Sequence, residues 1–303
     1  MKILITGHLG FVGAETKRYI ESFKVDNPLY GTDGMQTLAT APHISEHEVV
    51  GYDIMEGHDI RDAQQLDEFV TKHKPDRILH LAAIARFSDA DKDPQLAFET
   101  NVLGTRNVVL VAKKHKIPLV YSSTGSVYMP ITDFTGTIKE NWPAKGNSVY
   151  GCTKYAGETY VASHTPHIIL RYAHLYGKEK RMHGLIGGFV ERIQRGMAPT
   201  LYGGKQSNDF TYIKDVARAN YLALTAPWDK WNQVYNIGTG EELSAEDAGQ
   251  IICDQTGWKG KIEVKEARTV DPERFAFDVS KASVMLGFTA EYDFKKGLTD
   301  MFA

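Results

Sequence analysis

The sequence predicts an α/β fold: a doubly wound, parallel Rossmann-type sheet followed by a smaller, mixed C-terminal lobe. Two observations carry that expectation. Short apolar runs, KILIT (2–6), EVVGYD (48–53), RILHL (77–81), PLVYSS (118–123) and HIILRY (167–172), alternate with helix-like stretches near 11–24, 62–73, 94–115 and 147–163. Near-continuous apolar strands separated by helices are the pattern of a parallel sheet buried on both faces. A glycine triplet also follows the first strand directly and opens the first helix, as a doubly wound sheet with a phosphate loop requires. The 303 residues suffice for a sizeable core.

The first strand runs into TGHLGFVG, with Gly7, Gly10 and Gly13 flanking Phe11 and Val12. Glycine permits a tight turn and close approach of a pyrophosphate, and the helix N-terminus that follows supplies amide donors and a positive dipole end. An acidic residue is expected to close the second strand and meet the adenine ribose, usually about 20 residues after the glycines. Asp33 has that spacing but follows NPLYG, a poor strand; Asp53 ends the good strand EVVGYD. Asp53 is therefore assigned. Its carboxylate accepts from ribose hydroxyls and repels a 2′-phosphate, so NAD is favoured over NADP. The extra distance is read as a surface loop at 25–45, on the sheet edge opposite the ligand. In GHDIRD, Asp59 and Ile60 follow, either at the adenine or as a helix cap before 62–73.

The strand PLVYSS opens at its C-terminal edge into STGSVY, bringing Ser123, Thr124 and Ser126 there. The next helix begins SVYGCTKYAGE, with Tyr150 and Lys154 four apart and so on one helix face. Phenol has an ordinary pKa of about 10. A neighbouring ammonium and an oxidised nicotinamide favour phenolate, so Tyr150 is suited to take a proton from a substrate hydroxyl as hydride leaves the same carbon. Thr124 would bond that oxygen, and Lys154 would hold the nicotinamide ribose and tune Tyr150. Beyond residue 173 the pattern loosens. Helices are expected near 184–195, 213–226, 244–256, 280–286 and 293–302, with a strand at 234–238. The expected division is 1–173 plus 211–239 for the dinucleotide domain, and 174–210 plus 240–303 for the substrate lobe.

Net charge is −3 with both signs interspersed, which points away from nucleic acid and anionic membranes. Cys152 and Cys253 form neither a disulfide framework nor a metal-ligand spacing, so a reducing compartment and no metal are expected. The apolar start MKILITG is too short for a signal-peptide core, and no run approaches a membrane span. A cytoplasmic location follows as an expectation.

Several segments in order resemble the extended short-chain dehydrogenase/reductase superfamily, in its NAD-dependent sugar epimerase/dehydratase branch. They are TGHLGFVG (6–13), GHDIRD (57–62), HLAA (80–83), NVLGTRNVV (101–109), YSSTGSVY (121–128), YGCTK (150–154), LRYAHLYG (170–177), DFTYIKDVARA (209–219), YNIGTG (235–240) and DPERFAFDVSKASVMLGF (271–288). The resemblance implies that Leu81, Ala82 and Ala83 line the cofactor and that Asn101 supports the site. It places Ser122 and Tyr172 beside the cofactor and makes Tyr150 the acid/base. Substrate, often a nucleotide sugar in this family, would lie between the lobes. A homodimer through the helices at 94–115 and 147–163 is also implied.

The resemblance narrows further by what is missing. The 4,6-dehydratases carry an acidic pair after the active-site threonine, where Gly125 and Ser126 stand here. The decarboxylases' glutamate and the 3,5-epimerases' cysteine are also absent from this loop. The remaining set, Thr124, Tyr150 and Lys154, is that of 4-epimerases. Two positions depart from the family's phosphate contacts: His174 replaces an asparagine and Asn208 replaces an arginine. Arg274 matches the late phosphate-binding arginine, with Arg181 and Arg192 as further cations. The leading expectation is a nucleotide-sugar 4-epimerase. Its alternative is a net dehydrogenase or reductase of a sugar or other small hydroxy or keto compound. A third class, a dinucleotide sensor without catalysis, is disfavoured by the retained tyrosine–lysine pair.

Overall fold

The computed structural model describes residues 1–23, 47–128, 136–146, 148–164, 166–178, 184–266 and 274–303. The 25–45 loop, Asp33 and Arg181 lie outside the described residues. The first part contains β1 (Lys2–Thr6), α1 (Phe11–Glu21), β2 (Glu48–Tyr52), α2 (Ala63–His73), β3 (Arg77–His80), α3 (Phe87–Lys92), α4 (Pro94–Phe98), α5 (Thr105–His115), β4 (Leu119–Thr124), α6 (Val149–Ala162) and β5 (His167–Tyr172). Then come β6 (His174–Tyr176), α7 (Gly184–Gln194), β7 (Thr200–Tyr202), β8 (Ser207–Asn208), β9 (Phe210–Tyr212), α8 (Ile213–Thr225) and β10 (Gln233–Ile237). The chain closes with β11 (Leu243–Ser244), α9 (Ala245–Thr256), β12 (Glu263–Lys265), α10 (Ser280–Leu286) and α11 (Phe294–Phe302).

Six parallel strands form the sheet, in the order β10-β5-β4-β3-β1-β2. Alternate side chains explain the unbroken apolar runs. Ile3, Ile5, Leu79, Val120, Ile168 and Leu170 enter one core, with Ile20 of α1 and Ile213 and Val216 of α8. Leu4, Ile78, Leu119, Tyr121 and Ile169 enter the other, with Leu66 and Val70 of α2 and Val108 of α5. Each fully buried aliphatic side chain is worth about 1.5–3 kcal/mol. A one-residue slip would exchange the two faces, so register is firmly set.

The chain leaves β1 towards β2 and then returns to β3 on its other side. That reversal opens a crevice at the carboxyl ends of β1 and β3, where doubly wound sheets bind ligands. The expected 94–115 helix is divided: α4 and α5 are joined by a π-helical turn at Glu99–Gly104, a distortion often found at functional sites. Helix α3 was not anticipated, because FSDADK is short and polar. The small pairs β6–β9, β8–β11 and β7–β12 were also missed, being two or three residues long.

Candidate active site

The glycine loop is shaped by contacts that exclude a side chain. Gly7 sits at φ 72°, and a Cβ there would lie 2.8 Å from the Ala82 backbone. A Cβ on Gly13 would lie 2.7 Å from His8 Cα and collide with the Gly7 carbonyl. Gly10 donates to that carbonyl at 3.1 Å and caps α1, whose first turn carries no acidic residue. The Leu81 amide donates to Thr6 O at 3.1 Å and the Ala82 amide to Thr6 Oγ1 at 3.3 Å, drawing the end of β3, and Ala83 beyond it, against the loop. Asp53 is buried, and its carboxylate accepts from the Leu9 amide at 3.1 Å and the Met55 amide at 3.0 Å. These residues fit a dinucleotide: a Cβ-free cradle, the amides of Phe11 and Val12 at a helix start, and a carboxylate beside them. Gly13→Ala is expected to weaken NADH binding by about 1–3 kcal/mol, the usual cost of an overpacked methyl. Fluorescence titration measures it, and unchanged affinity would mean the loop yields without disturbing the cradle.

Asp59 is held by the Arg61 guanidinium, with Nη2 at 2.6 Å, which keeps its carboxyl below the usual range. Asp62, not Asp59, caps α2, accepting from the Gln65 amide at 2.9 Å. Ile60 is buried, and its carbonyl accepts from Asn107 Nδ2 at 3.1 Å.

Ser148 starts α6, its hydroxyl accepting from the Gly151 amide at 3.0 Å. Gly151 meets the Ser126 backbone and Gly157 meets the Tyr121 side chain at distances no Cβ permits. The helix therefore lies close on β4 and the loop after it. This contact carries Tyr150 towards Thr124, whose hydroxyl is near enough to act on the phenol. Burial pushes the Tyr150 phenol up to about 12, and the Thr124 hydroxyl pulls partly against it. Lys154 is buried, with its ammonium 4.2 Å from the centre of the Tyr121 ring. Burial lowers it to about 7, and the Glu158 carboxylate opposes the fall. The protein thus places Lys154 on Tyr121, and burial, not a neighbouring ammonium, dominates Tyr150.

Supporting groups surround the pair. Buried Asn101, in the π-helical turn, accepts from the Ile84 amide at 2.8 Å and donates to Thr153 Oγ1 at 3.0 Å. It ties the strand β3 exit to α6. Ser122 donates to His80 O at 3.0 Å. The Tyr172 hydroxyl donates to Asn220 Oδ1 at 2.6 Å. The Phe87 ring stands edge-on to Tyr150 at 5.4 Å. Ser126 Oγ accepts from Thr124 Oγ1 at 3.2 Å.

Ser123, expected at the cleft edge with Thr124 and Ser126, turns to a buried partner. It is buried and donates to Glu158 Oε1 at 2.5 Å. Glu158 also takes both Nε and Nη2 of Arg171, at 2.9 and 2.6 Å, while Arg171 lies 4.7 Å over the Tyr128 ring. Glu158 stands four residues after Lys154 on the same helical face, the spacing that could have marked it in the sequence.

The three expected phosphate-side residues are spread along the chain beyond β5. His174 is exposed on β6, its ring edge-on to Phe210 at 5.2 Å. Asn208 pairs with Leu243 in the β8–β11 ribbon. Arg274 is engaged by Glu242, with Nε donating to Oε1 at 2.7 Å and Nη2 to Oε2. Arg192 bonds Ala198 O and Glu263 instead of turning towards these residues.

The profile of the family described as "NAD dependent epimerase/dehydratase family" matches residues 3–238. The chain belongs to that family. It is accordingly an enzyme of the epimerase/dehydratase family, and NAD is its cofactor. A protein of Methanocaldococcus jannaschii provisionally named a UDP-glucose 4-epimerase is 30% identical over 306 residues, covering 98% of this chain and 95% of that protein. The dTDP-glucose 4,6-dehydratase 1 of Escherichia coli is 26% identical, covering 98% and 91%. Among solved structures, the UDP-glucuronic acid 4-epimerase of Bacillus cereus, in complex with UDP-glucuronic acid and NAD, superposes with a TM-score of 0.82. It is 26% identical, covering 100% of this chain and 98% of that one. Family membership thus extends to epimerases and dehydratases alike. Among the described residues, no helix is long and apolar enough to cross a membrane.

Proposed function

We propose that the protein is an NAD-dependent nucleotide-sugar 4-epimerase acting by transient oxidation at C4, with Tyr150 as acid/base. The observation that carries this reading against dehydration is the packing at Gly125. A Cβ there would lie 2.9 Å from Phe275 Cε2 and 3.0 Å from Phe277 Cζ, and the next residue, Ser126, is hydrogen-bonded to Thr124. The acidic pair that dehydratases place after the threonine is absent, and a side chain at 125 would have to displace the Phe275 ring, which supports the epimerase reading. Proton exchange at one hydroxyl is the chemistry that Thr124, Tyr150 and Lys154 support best.

Gly7, Gly10, Phe11, Val12 and Gly13 hold the pyrophosphate, Asp53 the adenosine ribose, and Asp59 and Ile60 the adenine. Leu81, Ala82, Ala83, Ser122 and Tyr172 line the cleft beside Tyr150 and Lys154. When bound, NAD supplies the hydride acceptor and donor at C4, together with a positive charge near the phenol. Thr124 orients the substrate's 4-oxygen, Tyr150 takes and returns its proton, and Lys154 supplies an ammonium beneath the site. Asn101 and Ser123 position these groups without touching substrate. Substrate lies between the lobes, 1–173 plus 211–239 and 174–210 plus 240–303, near Ser126, His174, Asn208 and Arg274.

The test is turnover of a UDP-hexose panel, begun with UDP-glucose and UDP-galactose, while absorbance of reduced cofactor is followed. Interconversion without net NADH is expected. NADH appearing or disappearing in proportion to product would replace this reading with the dehydrogenase. A homodimer is proposed through α4, α5 and α6, where Phe98, Leu103, Leu110 and Tyr160 are exposed. A monomer mass by light scattering would remove it.

A further inference from the structure

The segment that carries Arg274 is built against the catalytic loop. Phe275 and Phe277 close over Gly125, immediately after Thr124, and Phe275 packs 4.9 Å from Phe277. Arg274, the next residue back, is part-exposed beside that contact. One edge of its guanidinium is already occupied. Glu242 takes Nε and Nη2 together, and Ser207, beside Asn208 on β8, donates to the same carboxylate. Glu242 thus joins Arg274 to Ser207, the neighbour of Asn208 on β8. The pair holds the Glu242 carboxyl below its usual range.

A planar guanidinium presents two bidentate edges, Nε with Nη2 and Nη1 with Nη2, each fitting a carboxylate or a phosphate in the same way; Glu242 holds the first. An anion reaching that edge of Arg274 meets Glu242 already in place. With asparagine at 208, no second cation stands at that position to draw the anion in.

We propose that Glu242 is a specificity-determining residue, its carboxylate competing with the substrate diphosphate for Arg274. This rests on the nucleotide-sugar reading above. Displacing Glu242 requires an anion stronger than a single carboxylate. A diphosphate meets that requirement, whereas a neutral sugar leaves the pair closed.

The experiment is calorimetric titration of the NAD-loaded protein with UDP. Glu242→Gln keeps the side chain's size and its bond to Ser207 but gives up the charge. It is expected to tighten UDP binding about two- to fivefold, the scale of a partly exposed ion pair. Glu241→Gln makes the same change in net charge at the adjacent exposed position, whose carboxylate pairs with no described cation. It is expected to leave UDP affinity unchanged. In an Arg274→Ala background, the Glu242→Gln gain should vanish. Unchanged or weaker binding by Glu242→Gln, or an equal gain from Glu241→Gln, would overturn the proposal. If UDP binds neither wild type nor variant while NADH still binds, the nucleotide-sugar reading falls and this inference with it.

Discussion

Tyr150→Phe is expected to lower turnover by about 10²–10⁴-fold, the usual worth of one positioned acid/base. That corresponds to about 3–5 kcal/mol in the barrier. The substitution is mild in every other respect. Phenylalanine keeps the ring that Phe87 meets edge-on at 5.4 Å, and the cofactor cradle lies on a different strand end, at Gly7–Gly13. NADH affinity should therefore stay within about threefold of wild type, under 1 kcal/mol. A variant that retained more than about a tenth of the activity, short of even the weakest usual acid/base contribution, would sink the assignment of Tyr150. The pH dependence should reflect Lys154. Its ammonium is pulled down to about 7 by burial while the phenol is pushed up to about 12. The protein's own groups thus hold Tyr150 protonated at neutral pH. Lys154 carries its charge below about pH 7 and loses it above, so activity should fall as pH rises through that value.

Much of this was legible in the sequence, and the reasons are specific. The strands β1, β3, β4 and β5 could be placed because both sheet faces are buried there, which turns each into a near-solid apolar run. Gly7 and Gly13 could be named because only glycine tolerates the Ala82 and His8 backbones at the distances found. What escaped were features made by long-range contact. Ser123 reads as a cleft hydroxyl because it neighbours Thr124, yet successive strand residues face opposite sides, and Ser123 turns to Glu158. Nothing local announces that Lys154 would lie over Tyr121, thirty-three positions earlier. Arg274 matched a phosphate contact by position alone. Its partner Glu242 is thirty-two residues away and carries no sequence signal for that pairing.

The buried pair behind the active site gives the largest expected effect on stability. Glu158→Ala should destabilise the fold by about 3–5 kcal/mol, because it leaves the Arg171 guanidinium buried and unpaired. Glu158 and Arg171 are 5% and 6% exposed at their side chains, and their atoms meet at 2.6 Å. The loss also strands the Ser123 hydroxyl, and a buried donor without a partner adds its own penalty. Urea unfolding measures the change. The double substitution Glu158→Leu, Arg171→Leu tests the cause: with both charges gone, no ion remains buried, so the double variant should lose less than the two single variants summed. Additive losses would mean that the two residues act through separate packing contacts. The same pair bears on catalysis. Glu158 opposes the fall in the Lys154 pKa, so Glu158→Gln should move the activity limb assigned to Lys154 to lower pH. A purely structural role for the pair would lower the yield of folded enzyme and leave the position of that limb where it was.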